Sequence, residues 1–110
     1  MTKITHLLDY VATHPDAAIT YRASDMVFAA ESDASYLSAP KGRSRIGAIH
    51  YMTEAPKLFN GRPTTPANRN GVIHVISRIT RIVLSSVMEA EVAAAFEAAR
   101  ACCPIRTIRE

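Results

Sequence analysis

The chain has 110 residues, 48% hydrophobic and 21% charged, a balance near globular averages that excludes wholesale disorder and fits one domain or a piece of one. The net charge of +3 hides a polarised distribution: residues 41–81 carry eight basic side chains against Glu54 alone, a net +7, and the remainder is net −4. A basic middle suits a polyanionic partner, and it equally suits a solvated surface with no partner.

Thr2 is a candidate N-cap, and Ile4, Leu7, Leu8 and Val11 follow at the spacing of an amphipathic helix. His14-Pro15 ends that helix, because the residue before a proline avoids helical geometry. Residues 16–25 read as a connector with a short extended piece at 18–21. Residues 26–32 read as the first strand, 34–43 as a turn region and 44–52 as a second strand. Residues 53–70 hold Pro56, Gly61, Pro63 and Pro66 and are expected to form a long loop. Asn70-Gly71 is a turn signal before a third strand at 71–77, and the three strands in this order suggest an antiparallel meander.

Residues 78–84 are ambiguous: Ile79, Ile82 and Val83 fit a helix, while Ile82-Val83-Leu84 alone fits a strand. Ser86-x-x-Glu89 has the form of a capping box, and Ala90, Ala93, Ala94, Ala95, Ala98 and Ala99 favour the helix after it. Pro104 is expected to end that helix near Cys103. Cys102 and Cys103 are the only cysteines; they make no disulfide framework and suit a reducing, intracellular compartment, cytoplasmic or nuclear. No apolar run reaches the roughly 18 residues of a membrane span, and no secretory leader is read at the N-terminus.

Two acidic motifs flank the basic middle: Glu31-Ser32-Asp33-Ala34-Ser35-Tyr36-Leu37-Ser38 and Ser85-Ser86-Val87-Met88-Glu89-Ala90-Glu91. Asp33 is expected where a central strand ends, and Glu91 on the second turn of the following helix. Magnesium takes hard oxygen ligands, and two-metal phosphodiester cleavage needs several carboxylates around ions roughly 4 Å apart. If the helix packs across the sheet, the two side chains can face each other; alternatively Asp33 caps a turn and Glu91 lies on a wet helix face. Glu89 points away from Glu91 and suits the capping box. Ser85 and Ser86 can donate to a sugar or phosphate, or simply cap the helix. His50 and His74 read as half-buried strand residues rather than metal ligands. Lys41-Gly42-Arg43-Ser44-Arg45 reads as a contact for a nucleic-acid backbone or as a solvated turn.

These motifs, with the flanks from Asp25-Met26 to Ser44-Arg45, resemble the ribonuclease H region of copia-type retrotransposon polyproteins. Leu8-Asp9-Tyr10-Val11-Ala12-Thr13-His14-Pro15 resembles the segment that joins reverse transcriptase to that region. Two units follow from the resemblance: residues 1–25 as N-terminal helix and connector, and 26–110 as a partial ribonuclease H-like domain. The implied fold is α/β (α+β) and ribonuclease H-like, a mixed sheet with helices on it, of which this chain is expected to keep a three-stranded antiparallel meander followed by a long helix, with an N-terminal amphipathic helix. The implied activity is Mg2+-dependent cleavage of the RNA strand of RNA–DNA hybrids. By motif, Asp33 matches the first-strand aspartate and Glu91 the first-helix glutamate, each catalytic and metal-binding. Hybrid recognition uses minor-groove contacts and ribose 2′-hydroxyls. The candidates for it are Ser35, Ser85 and Ser86, with Lys41, Arg43, Arg45, Arg78 and Arg81 on phosphates.

The family's fold continues with a further strand and helix that bring a third and a fourth carboxylate, whereas residues 104–110 hold no aspartate. Two ligands of four are present, so the chain is expected to be catalytically incomplete. Its unpaired sheet edge invites self-association, and the reverse transcriptase portion of the same polyprotein is a further expected partner; a membrane is not. Two other readings stand beside this one: a non-catalytic basic nucleic-acid-binding module, and an inert structural remnant.

Overall fold

The computed structural model describes residues 2–64 and 69–109. Its elements are α1 (Lys3–Thr13), β1 (Val27–Ala39), β2 (Arg43–Thr53), β3 (Leu58–Phe59), β4 (Arg62–Pro63), β5 (Val72–Ile79) and α2 (Val87–Arg109). The three long strands form an antiparallel sheet in the order β1-β2-β5, so the chain is α+β with the expected meander. β3 and β4 form a small hairpin inside the segment read as a long loop, and Pro66 of that segment lies outside the described residues.

β1 is longer than its sequence suggests. It runs through the acidic motif to Ala39, so Asp33 sits in mid-strand rather than at a strand end. Aspartate and serine are poor strand formers, but β2 pairs with β1 continuously from Val27–Thr53 to Ser35–Arg45, and that ladder overrides local preference. β1 is also an edge strand: β2 is central, and the outer side of β1 pairs with nothing among the described residues. After Ser35 the register slips, Leu37 takes a left-handed φ of 53°, and its N–H donates to Ser44 Oγ at 3.1 Å. The reversal into β2 is confined to Pro40–Gly42, where Lys41 and Gly42 are both left-handed.

α2 lies across one face of the sheet, on β1 and β2. Its contact stripe is Ala90, Ala94 and Ala98, all buried, at a spacing of four. Small side chains there let the helix approach the strands closely, against Ile46, Ala48 and His50 of β2. His50 is fully buried, and its Nε2 lies 3.0 Å from the Ala98 carbonyl oxygen. Its ring stacks on Phe28 at 5.7 Å and lies 5.2 Å from His74, while Nδ1 is buried without a partner. α2 continues past Cys103 through Pro104 to Arg109. A proline forfeits one helical hydrogen bond, but Cys102 and Ile105 are half-buried and carry the contact stripe onward, so packing holds the helix through it.

α1 forms as expected, with Thr2 accepting from the Thr5 N–H, yet no residue of it is buried. Ile4, Leu7, Leu8 and Val11 stand exposed. The connector behaves differently. Tyr21 donates its hydroxyl to the Val72 carbonyl at 3.0 Å, and Arg22 and Asn70 exchange two hydrogen bonds. Gly71 is required beside this latch, since a Cβ there would come within 2.6 Å of the Tyr21 ring. The Cα radius of gyration, 16.7 Å, exceeds the ~13 Å of a compact domain of this size. No helix among the described residues is long and apolar enough to cross a membrane.

The alanine stripe makes a direct prediction. Ala94→Leu should destabilise the fold by about 1–3 kcal/mol in urea unfolding, because the added carbons wedge α2 off the sheet. Ala95→Leu, at an exposed position of the same helix, should change stability by less than about 0.5 kcal/mol.

Candidate nucleic-acid interface

The basic residues singled out from sequence gather at one end of the sheet. Lys41 sits in the β1–β2 reversal, Arg43 and Arg45 open β2, and Arg78 lies near the end of β5. The register sets Arg45 opposite Ser35 on one side and Ile79 on the other, with Ile46 opposite Arg78. Thr80 locks this corner: its N–H donates to the Ser44 carbonyl at 2.8 Å, and its Oγ1 accepts from the Ser44 N–H at 3.2 Å. Residues 78–84 therefore resolve without a helix, with β5 reaching Ile79 and a bend following.

These cations are not equivalent. Lys41, Arg45 and Arg81 are exposed. Arg43 is half-buried, with its Nε enclosed and unpartnered. Arg78 forms an ion pair with Glu97 of α2, and Glu97 also accepts from Arg100 at 2.9 Å. Arg78 thus faces the α2 side, whereas Arg45, one register position away, faces the open side of the sheet.

The same alternation separates the two candidate carboxylates. Phe28 and His50 stack on the α2 side, so residues 28, 30, 32 and 34 of β1 share that side. Glu31 and Asp33 leave β1 on the opposite, open face. Asp33 lies opposite Gly47, which offers no side chain, and so borders a shallow depression of about 310 Å³ with Ile49, Val75 and Ser77. Glu91 is half-buried on α2, next to Ala90 on the other layer. The Asp33 and Glu91 carboxylates make no hydrogen bond or ion pair with another described residue. No group of three or more His, Cys, Asp or Glu side chains able to hold a metal occurs among the described residues. Two carboxylates presented from different layers do not by themselves fit a magnesium centre.

Ser85 and Ser86 are engaged at the start of α2. Ser86 Oγ accepts from the Glu89 N–H at 3.1 Å, and the Glu89 carboxylate accepts from the Ser85 N–H at 2.6 Å and from the Ser85 hydroxyl. The capping box therefore forms, but Glu89 reaches one residue further back than the standard pattern. Ser35 is exposed beside Arg45 and is the candidate hydroxyl left at the basic end.

One polar cluster was not visible in the sequence. Tyr51, 1% exposed, sits between Glu31 and Arg69, whose Nε donates to Glu31 at 2.7 Å. Burial, then the Glu31 charge, pushes the Tyr51 hydroxyl above its ordinary value. Glu31 and Arg69 are 38 residues apart, so only the strand register and the latch at Asn70 bring them together. No protein-family model, no curated protein and no solved structure matches the chain.

Hydrogen bonds from the Ser85 hydroxyl, and next from its N–H, hold the Glu89 carboxyl below its ordinary value. A depressed folded value means that stabilisation is present above the unfolded value near 4.3 and is lost as pH falls through the folded one. Helicity read by circular dichroism should therefore show an acid-side loss below that range, and Glu89→Gln should remove the charge-linked part of it.

Proposed function

We propose that this chain is a retroelement-derived ribonuclease H-like domain that holds an RNA–DNA hybrid without cleaving it. The observation that carries the reading is the convergence of Lys41, Arg43, Arg45 and Ser35 on one end of the sheet. Exposed cations there would neutralise backbone phosphates, and each such contact releases condensed counterions. The Ser35 hydroxyl beside Arg45 would meet a ribose 2′-hydroxyl, the group that distinguishes RNA from DNA. The resemblance of the two acidic motifs supplies the hybrid as partner, and the meander followed by a helix on one face is compatible with the implied fold.

In the intact parent, magnesium would supply the charge that activates water and stabilises the leaving oxygen, and Asp33 and Glu91 would be two of its ligands. This chain brings them to different layers, and that favours binding without cleavage. The outer edge of β1, unpaired among the described residues, is where a further strand of the parent, the reverse transcriptase portion or a second copy would pair.

A labelled RNA–DNA hybrid with Mg2+ tests the reading, with shift and cleavage read on one gel. The expected result is a shift without cleavage. Cleavage that vanishes in Asp33→Asn would instead make the chain an enzyme, and absence of a shift would leave an inert remnant. Arg43→Ala combined with Arg45→Ala should weaken the shift and reduce the salt slope by about two, one per lost phosphate contact; an equal slope removes these arginines from the interface. Asp33→Asn and Glu91→Gln should leave hybrid affinity in EDTA unchanged, since neither carboxylate is among the cations and hydroxyl proposed to meet the hybrid.

A further inference from the structure

We propose that the cleft between the end of β5 and α2 holds an unpaired nucleotide of a single-stranded nucleic acid, a site on the α2 side of the sheet apart from the hybrid-binding residues Lys41, Arg43, Arg45 and Ser35. The inference rests on the nucleic-acid reading above and adds the strand class and two residues that reading does not use, Phe96 and Arg100.

The cleft has a volume of about 520 Å³. Buried Ile46 and Leu84 are among the residues that line it. Phe96 is one wall and is 63% exposed. α2 places its alanines against the sheet, and Phe96 projects away from that stripe into the cleft. An aromatic ring left this open in water offers a face on which a base can stack whatever its identity. Arg78, Arg81 and Arg100 rim the same cleft, against Glu97 as the single acid among its lining residues.

Glu97 gives this arrangement its shape. It draws one Nη2 from Arg78 on β5 and one from Arg100 on α2, so two guanidinium groups from different elements are held side by side. A guanidinium has five N–H donors, and each of these two uses one on Glu97, which leaves a fork free for phosphate oxygens. Holding both side chains before the ligand arrives reduces the ordering that binding would require. Arg81 adds an exposed cation on the lip. The pattern of a stacking ring with flanking cations is that of single-strand binding, since a base held within a duplex stack has no free face to lay on the ring. Charge complementarity thus selects a polyanion, and Phe96 selects one with unpaired bases. Three cations around one ring suit more than one phosphate, which favours a strand over a free mononucleotide.

Fluorescence anisotropy on the full chain, with a labelled single-stranded oligouridylate and the labelled hybrid as separate probes, tests this. Phe96→Ala should weaken oligouridylate binding about tenfold with an unchanged salt slope, and Phe96→Tyr should restore it. Arg100→Gln should weaken it and lower the slope by about one. Both variants should leave hybrid affinity within about twofold, and thermal melts should match the parent chain because Phe96 and Arg100 are exposed. No binding of oligouridylate by the parent chain, an affinity unchanged in Phe96→Ala, or an equal loss on both probes would each overturn the site. A protein partner for the cleft would show itself as the first of these. Failure of the hybrid reading is separate, since it is read from the hybrid probe with Arg43→Ala and Arg45→Ala.

Discussion

The structure depends on the close approach of α2 to β1 and β2 through a stripe of alanines. Ala90, Ala94 and Ala98 are buried where larger residues would hold the helix away, and the reward is contact between the helix backbone and the strand side chains beneath it. His50 makes the approach specific. Its Nε2 meets the Ala98 carbonyl, a backbone group that a more distant helix would not offer. The unpartnered Nδ1 costs about 1–3 kcal/mol on the usual scale for a buried polar group, which the stacking on Phe28 and the surrounding burial must offset. With few aromatics in the chain, a small and tight core is the available solution; this chain builds most of it between α2 and the sheet, with Tyr51 buried on the other face beside Glu31 and Arg69.

Fixing α2 in this way also fixes the basic end. The segment after β5 is tied to β2 by Thr80 and Ser44, and the start of α2 is tied by Ser85, Ser86 and Glu89. Between those two clamps the chain carries Arg81, and across from them lies the cleft edged by Arg78 and Arg100. The cations are therefore held on short, well-anchored segments rather than on a long loop. The long loop read from sequence, by contrast, contributes the β3–β4 hairpin, whose Leu58 and Phe59 are exposed.

Much of this was legible in the residues. Period-two and period-3.6 patterns placed three strands and both helices, and Ser86-x-x-Glu89 marked the start of α2. What escaped was non-local. Asp33 lies in mid-strand because β2 supplies a partner for each residue from Val27 to Ser35, and nothing in the serine-rich motif announces that ladder. Pro104 lies inside α2 between Cys102 and Ile105, both half-buried, a fact of packing rather than of propensity. The α1 stripe forms an amphipathic helix, yet none of its residues is buried among the described residues. The Glu31–Arg69 pair and the Arg78–Glu97–Arg100 triad depend on register and helix placement, so each partner was visible but the pairing was not. Arg100 was the nearest to being readable, since it lies one helical turn from Glu97.

The half-covered sheet sets what the candidate residues can do. Strand alternation sends Asp33 to the open face, where Ile73 and Val75 are exposed, and helix packing puts Glu91 on the covered one. A hydrolytic metal needs carboxylates that converge, and convergence across a sheet layer requires elements that fold around its edge. Phosphate binding asks for less: cations spread over one end of the sheet act through a long-range field and tolerate mixed orientations. The two demands separate in this chain. On the proposed reading, Lys41, Arg43 and Arg45 would meet the second, and the first would fall to whatever completes the edge of β1 that is unpaired among the described residues. On that reading binding would be the more local property of this architecture, and cleavage the one that depends on further elements.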